Sequence, residues 1–244
     1  MDPHSESNSR LKVFLENPSK ALWTLAIPIM FGMGIQTLYN LVDMIFIGKL
    51  GGQAITGIAF NMPLFFLVLG LTMGLGTGVT ASIARFIGQE NKKQADNSAE
   101  HAVFMAAIIS VFLSLIGLMF GKTILAFFGA EGEILNLGWE YLRVMCIGMP
   151  FMIFSGFFRS ILAGEGDMKF PMMIAGLGTV LNIILDPIFI FELESYGGFG
   201  FGLGIAGAAM ATVISQVIVF FVFIYMLFFK DHSYITFRLR DFSF

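Results

Sequence analysis

Along this chain, long stretches without a charge alternate with short polar segments, and the stretches are continuously apolar rather than alternating. Residues 21–42 carry no charge and the apolar run continues past Asp43 to Gly48, which predicts a long first helix. Residues 50–84 are uncharged and Gly-rich at their start, which places a second span at about 54–84. The third covers 102–121, and the fourth about 135–162, with Glu140 and Arg143 near one end. The fifth covers about 170–191 and is expected to break at Asp186-Pro187; the sixth, about 204–229, follows the Gly-rich loop 196–204. A hydrocarbon core of about 30 Å needs about 20 apolar residues in a helix, and each run is that long. A membrane β-barrel would instead need alternating apolar and polar residues in strands of about 10. The pattern predicts an all-α polytopic membrane protein with six transmembrane helices over 19–229. An interfacial segment, 1–18, precedes them, with a short amphipathic helix over 9–17, and residues 230–244 follow as a polar tail. Asn17-Pro18 turns the chain and Ser19 is a candidate N-cap for the first helix.

Composition sharpens the class. Of 244 residues 57% are hydrophobic and 13% charged, against about 25% charged in a soluble domain, and mean hydropathy is +0.82. A soluble globule of this size could not hide that much apolar side chain. A net charge of −3 leaves no basic stripe for nucleic acid. A single Cys excludes a disulfide framework and any multi-Cys metal site, and His4, His101 and His232 lie apart from one another. No phosphate-binding loop, nucleophile elbow or HExxH motif occurs, so the expectation is a protein without a cofactor that is not an enzyme.

The basic residues test the span count independently. Arg10, Lys12, Lys20, Arg85, Lys92, Lys93, Arg159, Lys169, Lys230, Arg238 and Arg240 fall on one side, and only Lys49, Lys122 and Arg143 on the other. Under the positive-inside rule both termini are cytoplasmic and the protein is a multi-pass component of the cell (inner or plasma) membrane. Trp23 at the inner edge, and Trp139 with Tyr141 at the outer edge, are placed for an aromatic belt.

Two acids interrupt the apolar runs: Asp43 and Asp186. A carboxylate in hydrocarbon costs several kcal/mol, so such groups normally face a cavity and mark an ion or proton pathway. The alternative is a structural carboxylate paired to a neighbouring helix, but no Lys or Arg sits deep in a span. Asp43 lies six residues before Lys49 and Asp186 six before Glu192, so at 1.5 Å per residue both are about 9 Å below the outer surface. Two carboxyls at one level would repel each other when both ionised, so one would hold a proton or the pair a Na⁺ ion. Their neighbours are polar. Gln36, Asn40 and Asp43 recur at i, i+4, i+7, with Tyr39 beside them; Asn182 and Asp186 are i, i+4; Thr212 lies near the same depth in the sixth helix. Taken singly, Gln36 or Thr212 would read as glue between helices; together the stripes line a cavity. Pro28 permits a bend in the first helix, unless it is one of the prolines that membrane helices commonly tolerate, and Pro187 frees a carbonyl beside Asp186. Gly70, Gly74 and Gly78, and Gly204, Ala208 and Ala211, have the small-residue spacing of closely packed helices, and Cys146 is a packing residue.

Ala26-Ile27-Pro28 and the run from Leu38-Tyr39-Asn40 through Asp43 to Gly48-Lys49-Leu50-Gly51 resemble the first-helix signature of the MATE (multidrug and toxin extrusion) transporters, in their DinF-like prokaryotic branch. Gly164-Glu165-Gly166-Asp167, Asn182-Ile183-Ile184-Leu185-Asp186-Pro187 and the run from Gly204 to Thr212 resemble the family as well, so the likeness spans nearly the whole chain. The resemblance implies an antiporter that exports small cationic amphiphilic drugs in exchange for H⁺ or Na⁺ by alternating access. It implies a fold of two six-helix lobes in the bilayer, of which this chain is the N-terminal one. Asp43, Asn182, Asp186 and Thr212 would then line the cation site, which would be their possible Na⁺ site, and helix one would bend at Pro28. Residues 230–244 would be a cytoplasmic connector to a second six-helix lobe that this chain lacks. Two rivals stand beside this expectation: a lipid-linked saccharide flippase of the same superfamily, disfavoured by the absence of buried cations, and a non-transporting membrane subunit, if six helices are the native length.

Overall fold

A computed structural model describes residues 18–192, 200–230 and 233–236, and the predicted interfacial helix over 9–17 lies outside them. Helices account for almost all of the described chain: α1 (Pro18–Gly48), α2 (Gly52–Ala59), α3 (Met62–Gly88), α4 (Lys92–Phe127), α5 (Gly132–Gly164), α6 (Lys169–Ile190) and α7 (Gly204–Phe228). Five units are long and apolar enough to cross a membrane, with α2 and α3 together counting as one over Gly52–Gly88; α1, at 31 residues, completes a six-span lobe. The helix begins at Pro18, which puts Ser19 inside its first turn rather than at the cap.

The expected second span is two helices. Between α2 and α3 the chain turns at Phe60 and Asn61, and Pro63 in the first turn of α3 cannot donate a backbone hydrogen bond. Asn61 is wholly buried there and its Nδ2 donates to the carbonyls of Gly57 (2.9 Å) and Gly138 (3.1 Å). It thereby stitches the break onto α5. Gly138 is required at this crossing, because a Cβ on it would stand 2.9 Å from the Gly57 carbonyl oxygen. The expected break at Asp186-Pro187 does not occur: α6 runs on through Pro187 to Ile190, and Phe191 N–H donates to the Pro187 carbonyl at 3.4 Å. A proline deletes one donor, that to Ile183, and the neighbouring bonds hold the last turn. At α4 the helix extends past the apolar run at both ends. It starts at the Asn91 cap, whose side chain accepts from the Gln94 N–H at 3.2 Å.

α5 is the centre of the lobe and packs on α2, α3, α4 and α7; α6 packs on α7 and α1, and α1 also touches α2. The main core forms around Phe157, Phe158, Ile161, Leu162 and Phe223, and a second, smaller one around Ile47, Met145, Ile190 and Ala209. Cys146 is buried as expected, and Ser114 Oγ donates to its carbonyl at 2.6 Å. Tyr141 is buried edge-on against Phe65, centroids 5.9 Å apart, and so belongs to the core instead of an aromatic belt. Among the described residues nothing lies within 4 Å of a Cβ built on Gly70, Gly74 or Gly78, whereas Gly76, between them, is pressed against Ser160.

Residues 233–236 are docked against the end of the lobe at which α3, α5 and α7 finish. The Glu165 carboxylate accepts from Ser233 Oγ, Tyr234 N (3.2 Å) and Ile235 N (3.0 Å), and Ile235 is buried. Asp96 accepts from Thr236 N and Oγ1 at 3.0 and 2.9 Å. Lys92 Nζ donates to Asp96 and to the Tyr234 carbonyl (2.8 Å) and lies 4.8 Å from the Tyr234 ring centroid.

Candidate functional site

Asn182 and Asp186 stand one turn apart on α6 and face α7, because i and i+4 share a helix face. The two helices approach closely. A Cβ on Gly178 would come within 2.7 Å of Val219 Cγ2, and one on Gly207 would collide with the Phe189 carbonyl. That contact seals the polar residues from solvent: Asp186 is 0% exposed, Asn182 3% and Thr212 9%. Asn182 Nδ2 donates to Asp186 Oδ1 (3.3 Å) and to Thr212 Oγ1 (3.4 Å), while Thr212 Oγ1 donates to the Ala208 carbonyl at 3.1 Å.

Asp43 enters from α1, which packs along α6. It is half-buried, and its charge reaches Asp186. Three buried oxygens are left without a hydrogen-bond partner here: Asp43 Oδ1, Asn182 Oδ1 and Asp186 Oδ2. Buried acceptors are nearly always satisfied, so a cluster of orphans calls for an explanation. Carboxylate and amide oxygens are acceptors only, and a proton or a hard cation is what they lack.

Asn182, Asp186 and Thr212 are thus joined by hydrogen bonds into one polar cluster, and Asp43 comes to it from α1 at the level that the sequence gives to Asp186. The side chains of Pro28, Gln36, Tyr39 and Asn40 lie outside the described ones; the α1 backbone is helical through all four. Sequence reasoning passed over Thr179 and Ser215, buried polar residues three positions from Asn182 and Thr212 on the same helices. Their i, i+3 spacing from the cluster was the available signal. Among the described residues no group of three or more His, Cys, Asp and Glu has the form of a transition-metal site.

A bundle with continuously apolar exteriors and one sealed acidic cluster defines a polytopic α-helical membrane protein, here as a single lobe. The chain matches the MatE family model over residues 28–188 and belongs to that family, whose members are transporters and not enzymes. It is 32% identical over 222 residues to a probable multidrug resistance protein NorM of Thermotoga maritima, covering 91% of this chain and 46% of that protein. It is 31% identical over 225 residues to the multidrug export protein MepA of Staphylococcus aureus, covering 90% of this chain and 48% of that one. A crystal structure of MATE in complex with MaD3S superposes with a TM-score of 0.86 at 39% identity, over 93% of this chain and 49% of that one. The chain therefore spans about half the length of the relatives it matches, as one lobe of a two-lobe protein would.

Proposed function

We propose that this lobe is the N-terminal half of a cation-coupled antiporter, driven by H⁺ or Na⁺, that exports cationic amphiphilic compounds by alternating access. Asp43 and Asp186 are its coupling pair, and Asn182 and Thr212 complete the site. The observation that carries this reading is the set of three orphaned oxygens around a fully buried carboxyl. The empty valence of that cluster is satisfied when a proton or Na⁺ is bound and exposed when it leaves, which makes its surroundings differ between the two states. An ion drives a conformational equilibrium only through such differential binding. The names of the multidrug relatives support the substrate class, and the acidic pair favours a cationic one.

In this reading α1 bends at Pro28 as the ion exchanges, the termini face the cytoplasm, and residues 230–244 lead to the second lobe. The test is export of a fluorescent cationic dye from cells expressing this lobe with its second half. Asp43→Asn and Asp186→Asn are each expected to abolish export while the protein stays in the membrane at normal levels. Full export by both variants overturns the coupling role.

A further inference from the structure

Tyr141, Met145 and Met152 lie on the face of α5 that packs with Ile47 of α1 and Ile190 of α6. Arg159 follows Met152 by seven residues, two helical turns, and so shares that inward face. On one side of it, a Cβ on Gly156 would come within 2.6 Å of Thr72 Cγ2 on α3. On the other, the ring of Phe158 lies 6.1 Å from that of Phe223 on α7. The residues around Arg159 on the helix surface, Met152, Ser155, Leu162 and Ala163, are buried or half-buried, yet Arg159 is exposed. A long exposed side chain rising from a covered face stands in a recess, here between α3 and α7.

Among the described residues Arg159 forms neither a hydrogen bond nor an ion pair. The flanking helices α3 and α7 carry no acidic residue. Of the acids at this end of the lobe, Glu165 is held by residues 233–235, and Asp96 by Lys92 and Thr236. Asp167 accepts from the Phe170 N–H at 3.1 Å, and Glu100 is buried on α4. Protein meanwhile surrounds the Arg159 guanidinium closely enough to desolvate it. A charge stripped of water and given no counter-charge is costly, and an anion entering the recess would offset that cost.

Depth indicates which anion. α5 has 33 residues, about 50 Å at 1.5 Å per residue, against about 30 Å of hydrocarbon. About 10 Å of helix is thus left at each end for the headgroup layers. Arg159 is five residues from Gly164, the last of α5, or about 8 Å, which is the level of the lipid phosphates. We propose that Arg159 is an anion subsite that holds the phosphate of a bilayer phospholipid, whose acyl chains follow the apolar side chains of the recess. The planar guanidinium presents two parallel N–H groups to two phosphate oxygens, a match that an ammonium lacks. The subsite is separate from Asp43 and Asp186, and its test reads binding rather than export.

The test uses the lobe with its second half, purified in a neutral detergent, and reads the affinity for phosphatidic acid carrying a fluorescent acyl chain. The parent is expected to bind this probe saturably. Arg159→Met is expected to weaken binding about tenfold, through loss of a charge-assisted bidentate pair. Arg159→Lys, which keeps the charge but not the fork, is expected to weaken it by less. Arg85→Met, which removes another exposed cation at the same end of the lobe, is expected to match the parent. Unlabelled phosphatidic acid should displace the probe, and millimolar inorganic phosphate should not. Parental affinity in Arg159→Met, or an equal loss in Arg85→Met, overturns the subsite; displacement by inorganic phosphate overturns a lipid as its occupant. Arg159 is exposed, so its variants should keep the parental melting temperature; if Arg159→Met unfolds, parental affinity in Arg159→Lys overturns the bidentate contact.

Discussion

Glu165, where residues 233–236 dock, and Asp186, sealed between α6 and α7, are both carboxyls withdrawn from water, but one is answered by donors and the other is not. Glu165 accepts from a hydroxyl and two backbone N–H groups. Burial, with the neighbouring Asp167 charge adding to it, holds its carboxyl above the ordinary carboxylate range, and those three hydrogen bonds offset only part of that rise. Asp186 receives one long bond from Asn182, and its second oxygen is orphaned. A carboxylate held by a fixed set of donors fastens a segment of chain; in the function proposed above, one left incomplete takes up and gives back a cation. On that proposal the difference separates a structural acid from a transport acid without reference to where either lies in the sequence.

The largest effect that follows is on Asp186. Asp186→Asn should eliminate ion-driven export while leaving the melting temperature unchanged or raised, because a neutral amide of the same shape no longer has to bury a charge. A strong loss of stability would put Asp186 in the same class as Glu165. Next comes Glu165→Ala, which orphans two amides and a hydroxyl. Docking of residues 233–236 should weaken by about 1–3 kcal/mol, read as faster hydrogen exchange at Tyr234 and Ile235. Protection at parental levels would contradict the fastening role. Lys92→Met removes an exposed ion pair and a ring contact from the same docking site and should cost below about 1 kcal/mol by the same measurement. The smallest effect is expected at Gly74→Ala, which meets open space in this lobe and should leave its melting temperature unmoved; a loss of export in the two-lobe protein with no change in this lobe's stability would place Gly74 at a contact outside it.

Much of the candidate cluster was legible because a charge in an apolar run is conspicuous. Asp43 and Asp186 stood out by burial cost alone, and Asn182 and Thr212 followed from helical spacing and depth. The spans were legible for the same reason, since their lengths answer to the bilayer. What escaped depends on contacts distant in sequence. The break at Phe60-Asn61 is stabilised by the Gly138 carbonyl, 77 residues away. The expected rupture at Pro187 fails because one missing donor is a smaller loss than the packing of α6 on α7 retains. Tyr141 has the sequence position of an interfacial residue, but its ring finds Phe65. The glycines of α3 all have packing spacing, and the helix's rotation about its axis decides that, among the described residues, Gly76 meets a neighbour and Gly70, Gly74 and Gly78 meet none. The fastening of residues 233–236 by Glu165 was invisible because the partners lie about 70 residues apart.

The central claim is that the orphaned oxygens of Asp43, Asn182 and Asp186 hold the coupling cation. It is tested most directly by measuring cation release when drug binds to the purified two-lobe transporter, with a pH electrode for H⁺ and ²²Na⁺ for Na⁺. Drug is expected to displace one of the two ions from the parent protein and none from an Asp43→Asn, Asp186→Asn double variant that still binds drug. Equal release from both proteins would contradict the account.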